Sequence, residues 1–150
     1  MKKFKFLALA IFAVVALTIS SCSPDDTPAE PSFTVTEVNY TISGAASDAE
    51  LNAKITIKNT SDIEVTLYWI RQNVTIPSGW ATAICDHNLC YPENIGEHDL
   101  ILTAGQEIEL KGVFYPNNVD GTGSYDLLIY DTVDRANTEA TYSFSATARP

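Results

Sequence analysis

The chain has 150 residues, 45% of them hydrophobic, and a formal net charge of −10. This length and apolar content suit one domain with its own core. The acidic balance argues against a nucleic-acid-binding protein, because such proteins neutralise phosphates with Lys and Arg, and against unassisted adhesion to anionic lipid.

The first 21 residues have the layout of a secretory signal peptide. Lys2, Lys3 and Lys5 form a basic region, an apolar run covers 6–19, and two serines precede Cys22. A membrane-spanning helix needs about 20 consecutive apolar residues, and this run stops short of that length. We therefore expect residues 1–21 to be a signal peptide and not a transmembrane anchor.

The segment Ile19-Ser20-Ser21-Cys22 resembles the lipobox of bacterial lipoproteins, although the usual leucine is Ile19 here. The resemblance implies that Cys22 becomes the first mature residue and carries acyl chains, which would anchor the protein in the outer membrane. An ordinary signal peptide with a cysteine nearby is the alternative. Two or more acyl chains hold a protein stably on a membrane, whereas a single chain does so only marginally.

Residues 22–32 are rich in proline and acidic side chains. Such a segment cannot bury a core, and we expect a flexible linker. Acidic residues directly after the lipidated cysteine resemble the surface-export signal of Bacteroidetes lipoproteins, which implies exposure at the cell surface. A plain solvated linker is the alternative. Without the signal peptide, six basic residues remain against nineteen acidic ones, and the net charge becomes −13.

Residues 33–150 show two-residue alternation of apolar and polar side chains and no sustained helical period. The alternation is clearest at 51–58 and 142–146, and Pro116 ends a strand at 107–115 because a central strand needs every amide donor. Seven to eight strands are predicted. For that count we expect an all-β, Ig-like antiparallel β-sandwich, with a closed barrel as the alternative.

Cys85 and Cys90 form one even pair once Cys22 is assigned to lipid. Disulfides persist in exported proteins, so we predict a disulfide between them. Closing so small a loop stabilises a fold by only about 2 kcal/mol, and the bond therefore shapes a loop more than it holds a core. We interpret 77–92 as a long crossover loop with Trp80 as its hydrophobic plug, and Trp69 as a core residue.

A metal site is the alternative for the same stretch. Cys85, His87, Cys90 and His98 are donors of the type that zinc and copper accept. The Cys-x-His-x2-Cys spacing is not a standard zinc pattern, and oxidation would consume the thiolates. A metal-handling envelope protein therefore requires that both thiols stay reduced.

Three segments together resemble an Ig-like sandwich module of Bacteroidetes secreted and surface proteins. They are a strand ending in Trp69-Ile70-Arg71, a turn at Pro77-Ser78-Gly79-Trp80, and a run that starts at Cys85-Asp86 and ends at Cys90-Tyr91. The resemblance covers about 53–146. It implies the Ig-like fold and the cysteine pair, and it supplies no catalytic residue.

The late acidic loops, which include Asp131 and Asp134, are interpreted as a solvated rim, with calcium as the alternative. The tripeptide Asp131-Thr132-Val133 also resembles the O-glycosylation sequon of Bacteroidetes exported proteins.

The chain contains neither a nucleophile elbow nor a phosphate-binding glycine loop. We therefore expect a protein that is not an enzyme and that needs no cofactor. The predicted function is a non-catalytic, lipid-anchored envelope or surface protein that acts as a binding, adhesion or accessory module for a protein or glycan partner. Its contact surface is expected at Trp80 and Tyr91, beside the disulfide. A structural subunit of a larger envelope assembly is a further alternative.

Overall fold

The computed structural model describes residues 30–36 and 39–150. The predicted signal peptide, the lipidation site at Cys22 and most of the predicted linker lie outside these residues. Within them, no helix is both long and apolar enough to cross a membrane.

Ten strands and one four-residue helix make up the described part of the chain. They are β1 (Phe33–Val35), β2 (Asn39–Ala45), β3 (Leu51–Asn59), β4 (Val65–Thr75), β5 (Ala81–Cys85), β6 (Cys90–Pro92), β7 (Glu97–Leu102), β8 (Glu107–Tyr115), β9 (Gly121–Asp131), α1 (Arg135–Thr138) and β10 (Ala140–Arg149).

The strands form two five-stranded sheets. The first sheet has the order β1-β3-β8-β5-β6, and the second has the order β2-β10-β9-β4-β7. Neighbouring strands are antiparallel except β2 and β10, which are parallel. The predicted all-β, Ig-like sandwich is confirmed, and two separate sheets with free edges exclude the closed barrel. The strand count exceeds seven to eight because three-residue strands such as β1 and β6 are too short to show alternation.

The core lies between the sheets and follows the predicted alternation. On β3 the side chains of Leu51, Ala53, Ile55 and Ile57 are buried, while their neighbours along the strand are partly or fully exposed. Trp69 on β4 belongs to the same core and is fully buried, which confirms its predicted role.

The interpretation of 77–92 as a crossover loop is wrong. Residues 81–92 instead form a hairpin of β5 and β6, in which Ile84 pairs with Tyr91. β5 also pairs with β8 in the first sheet. Four of the five β5 residues are buried. The strand therefore has no solvent-exposed face, and its sequence shows no alternation of apolar and polar residues.

The folded body begins slightly before the predicted boundary at residue 33. The Thr60 N–H donates to the Ser32 carbonyl over 2.9 Å, and the Thr60 hydroxyl donates to the Pro31 carbonyl over 2.7 Å. These bonds attach Pro31 and Ser32 to the sandwich, although they stand at the end of the predicted linker.

Candidate binding site at the disulfide hairpin

The β5–β6 hairpin is closed by a disulfide at its tip. Cys85 and Cys90 lie directly opposite each other in the strand register and are bonded to each other, which confirms the predicted pair. The bond joins the last residue of β5 to the first residue of β6. The four tip residues between them, 86–89, are therefore held in one compact turn.

Asp86 organises this turn with both carboxylate oxygens. Its Oδ1 accepts the backbone N–H groups of Asn88 at 2.6 Å and Leu89 at 2.9 Å, as a short acidic side chain commonly does in a turn. Its Oδ2 accepts the Tyr91 hydroxyl at 3.0 Å. The turn thus presents Leu89 outward, where the side chain is 63% exposed.

Three aromatic rings connect the hairpin to the second sheet. The Tyr91 ring lies 5.4 Å from Trp69, in an edge-on arrangement, and 4.4 Å from His98. The Trp69 and His98 rings are stacked at 6.3 Å. Burial, followed by the hydrogen bond to Asp86, raises the pKa of Tyr91 to about 12. Tyr91 therefore remains neutral and donates to Asp86 at physiological pH.

Arg71 holds the base of the hairpin from the facing sheet. Its side chain is buried, and its guanidinium donates to the Thr82 hydroxyl at 3.1 Å and to the carbonyls of Tyr91 at 3.1 Å and Pro92 at 3.4 Å. Burial lowers the pKa of Arg71. Because one cation bridges β4 with both hairpin strands, it positions the hairpin against the second sheet.

A cleft of about 260 Å³ lies between the hairpin tip and β7, which is the edge strand of the second sheet. Leu89 and Ile101 line it with exposed fractions of 63% and 49%. The carboxylates of Asp86 on the hairpin and Asp99 on β7 also line the cleft. The full lining is Asp86, Asn88, Leu89, Tyr91, His98, Asp99, Leu100 and Ile101.

The structure brings Tyr91 and His98 together at this cleft. Tyr91 is only 7% exposed, so its predicted role as a contact residue is corrected: it supports the wall of the cleft. His98 Nδ1 lies 3.1 Å from Asp99 Oδ1 and 2.7 Å from the Asp99 carbonyl. Sequence reasoning missed Asp99, Leu89 and Ile101. The alternation that places Asp99 and Ile101 on the outer face of an edge strand was the available signal.

Trp80 does not lie on this surface, and its predicted contact role is corrected. It is only 6% exposed, packs edge-on against Phe114, and donates its indole N–H to the Val119 carbonyl at 2.8 Å. Gly123 makes this packing feasible, since a Cβ there would lie 3.1 Å from the indole. Trp80 is a core residue.

The four-residue metal set does not form either. Both cysteine sulfurs are in the disulfide and offer no thiolate to a metal. The exposed His87 ring contacts the side chain of Asn88 instead. In residues 30–36 and 39–150 no three His, Cys, Asp or Glu side chains are grouped so as to hold a metal ion.

A second cavity, of about 220 Å³, is lined by Ser32, Ile63, Asp131 and Val133 among others. Asp131 is 5% exposed and accepts hydrogen bonds from the Ser32 hydroxyl and from the Val133 N–H. The expectation that Asp131 belongs to a solvated acidic rim is therefore wrong. Val133 is 93% exposed.

Comparisons with known proteins support the fold. No family model and no curated protein matches the sequence. The chain is similar to the solved N-terminal domain of PorA, with a TM-score of 0.54 and 15% identity over 78% of this chain and 97% of that domain.

Two further similar structures are a PapD-like domain of human CEP192 and the CooA pilin subunit of enterotoxigenic Escherichia coli. The first has a TM-score of 0.48 and 8% identity, over 95% of this chain and 98% of that one. The second has a TM-score of 0.47 and 10% identity, over 80% of this chain and all of that one. At such identities the likeness concerns the fold alone, which is an Ig-like β-sandwich.

Proposed function

We propose that this protein is a non-catalytic, lipid-anchored module of the cell envelope that binds a partner through the cleft between its disulfide hairpin and β7. One observation carries the proposal. Leu89 and Ile101 are both exposed and line the same cleft, whose hairpin wall is held by a disulfide, by Asp86 and by Arg71.

Rigid support matters because binding costs less when the contact residues are already ordered. Exposed aliphatic side chains scattered singly over a surface need no explanation. Here, however, two of them line one cavity together with buried aromatic rings and two carboxylates. Loops held by a rigid scaffold are common places for recognition, and the disulfide-closed tip is such a loop.

The anchoring part of the proposal depends on the sequence. The signal peptide, the lipobox-like segment ending in Cys22 and the acidic linker support a protein tethered to the outer membrane and exposed at the cell surface. Mass spectrometry of the mature N-terminus, combined with protease shaving of intact cells, tests the anchor and the exposure together.

The binding surface is tested with two matched double variants. Leu89→Ser with Ile101→Ser removes the aliphatic side chains of the cleft, and Ile63→Ser with Val133→Ser removes a comparable exposed pair at the second cavity. Both are expected to fold, since substitutions of exposed residues usually change stability by about 0.5 kcal/mol or less.

In pull-downs from envelope fractions, we expect the cleft variant to lose the partner that the native protein retains. The variant at the second cavity should keep it. If the two variants retain the same partners as the native protein, the cleft is not the contact surface.

A further inference from the structure

The strand β7 has a free edge whose backbone groups are identified by its register. The Arg71 N–H donates to the Gly96 carbonyl at 2.7 Å, and the register then pairs Trp69 with His98 and Leu67 with Leu100. Hydrogen-bonded and non-hydrogen-bonded pairs alternate along antiparallel strands. His98 and Leu100 therefore direct their backbone groups at β4, whereas Glu97, Asp99 and Ile101 direct theirs away from the sheet.

A second contact confirms which pairs of β4 and β7 are hydrogen-bonded. Thr66 lies opposite Ile101, and its carbonyl accepts the N–H and the hydroxyl of Thr132 instead, both at 3.0 Å. The Thr66 carbonyl thus points away from β7, as a non-hydrogen-bonded pair requires. No described residue pairs with the outer side of β7, because this strand ends the second sheet.

Unpaired edge groups of this kind are a template for another strand. One of them is already occupied, since the Asp99 carbonyl is bonded by the ring of its neighbour His98. The N–H groups of Asp99 and Ile101 and the Ile101 carbonyl stay available to an incoming chain. They lie beside the cleft, which both residues also line.

The cleft and the edge together indicate what such a chain would carry. Side chains of an added strand alternate between the two faces of the sheet. One set enters the cleft under Leu89, and the other shares the outer face of β7 with Glu97, Asp99 and Ile101. A volume of about 260 Å³ is below the roughly 300–1,000 Å³ of typical small-molecule pockets. It suits individual apolar side chains.

The acidic side chains of β7 favour cationic residues at the outward-facing positions of the added strand. Glu97 and Asp99 stand on the outer face of the free edge, in a chain whose formal net charge is −10. Opposite charges on directly opposed residues stabilise a strand pair, and like charges destabilise it. These carboxylates would disfavour pairing with an acidic strand edge and favour an alternating cationic segment.

We propose that β7 accepts an added β-strand from an extended partner peptide whose cationic and apolar residues alternate. The Asp99 and Ile101 backbone groups supply the pairing, and the hairpin cleft receives one or more apolar side chains. This inference rests on the proposed binding function and specifies its partner class.

Ile101→Pro is the decisive variant. Proline lacks the N–H group and is tolerated on edge strands where that group faces solvent, so this change blocks strand addition and leaves the β4 pairing in place. Ile101→Ala is the matched control, because it shortens the side chain and keeps the backbone donor.

The probe is a nine-residue synthetic peptide of alternating lysine and valine with blocked ends. Two peptides serve as its controls: a glutamate–valine version, and a block peptide with all the lysines before all the valines. Binding is followed by amide chemical shifts and by hydrogen exchange. We expect slower exchange at the amides of Asp99 and Ile101, and a loss of affinity of about tenfold or more in Ile101→Pro. The loss in Ile101→Ala should be smaller.

Equal affinity for the alternating and block peptides would overturn strand addition, as would equal affinity of the proline and alanine variants. Unchanged exchange at the amides of Asp99 and Ile101 in the native protein would do the same, even if the proline variant failed to fold.

If Ile101→Pro keeps the native partner while the Leu89→Ser, Ile101→Ser variant loses it, the proposed binding function stands and strand addition fails. If neither variant loses that partner, the proposed function fails with it.

Discussion

The two cavities that expose aliphatic pairs differ in the surroundings of the carboxylates that line them. At the second cavity, both oxygens of Asp131 are used inside the fold, by the Ser32 hydroxyl and the Val133 N–H. At the hairpin cleft Asp86 is used in the same way, and Asp99 Oδ1 lies 3.1 Å from His98 Nδ1. Asp99, however, stands on an edge strand that no described residue covers. The cleft combines apolar side chains with a strand edge that no described residue pairs with.

Exposure by itself does not identify a site. Val133 is more exposed than Leu89 or Ile101, yet the Asp131 carboxylate beside it is already bonded within the fold. The cleft is distinguished by its rigid supports on one side and by its open strand edge on the other. Three changes test whether those supports act as described.

The largest effect is expected from Trp69→Ala. Trp69 is fully buried and lies beneath both Tyr91 and His98, so its removal should lower the free energy of unfolding by about 3–5 kcal/mol. Urea unfolding followed by circular dichroism measures this change. Val133→Ala, at the second cavity, should stay within about 0.5 kcal/mol of the native protein. Similar costs for the two variants would mean that the ring stack does not support the cleft.

A smaller effect is expected when the disulfide is removed by the double change Cys85→Ser and Cys90→Ser. The free energy of unfolding should fall by about 2 kcal/mol, a modest loss because the closed loop is short. Hydrogen exchange should accelerate at 86–91. The amides of Asp131 and Thr132, which bond to Thr138 and Thr66, should keep their protection. Equal acceleration in both regions would show that the bond stabilises the whole sandwich and not the hairpin.

The smallest effect concerns pH and Tyr91→Phe. At neutral pH the variant loses the hydrogen bond to Asp86 and should be less stable by about 1 kcal/mol. Burial raises the pKa of Tyr91 to about 12, above the ordinary tyrosine value near 10. Between these values the unfolded chain releases the proton that the folded protein retains, so native stability falls as pH rises.

Phenylalanine has no proton to release, and the difference between variant and native protein should therefore shrink between pH 10 and 12. Unfolding curves recorded at pH 8 and pH 11 measure this change. A stability difference that is the same at both values would show that Tyr91 titrates normally.

Much of the fold was predictable because burial leaves a periodic trace in the sequence. The alternation along β3 and β10 marks their inner faces, and Pro116 directly follows β8. β5 was missed because a strand buried on both faces shows no alternation. The disulfide was predictable from the cysteine count together with the predicted signal peptide.

The site was less predictable, since its parts come from both sheets. Trp80 was predicted to plug a crossover loop and to form part of the contact surface, but Gly123 and Phe114, which are distant in sequence, pack against it in the core. In the sequence Arg71 is identified only as part of the Trp69-Ile70-Arg71 motif. Its three hydrogen-bond partners lie on β5 and β6. No local pattern reports such contacts.

The sequence by itself determined an all-β chain with one even pair of cysteines after Cys22, because alternation and cysteine count can be read from local segments, and it left the sandwich and the closed barrel open. Only the tertiary structure decided that Tyr91 meets His98, that Trp80 is buried and that β7 ends its sheet. Those facts depend on how strands far apart in the chain are ordered within the two sheets, and strand order follows from packing between sheets, which no single segment encodes.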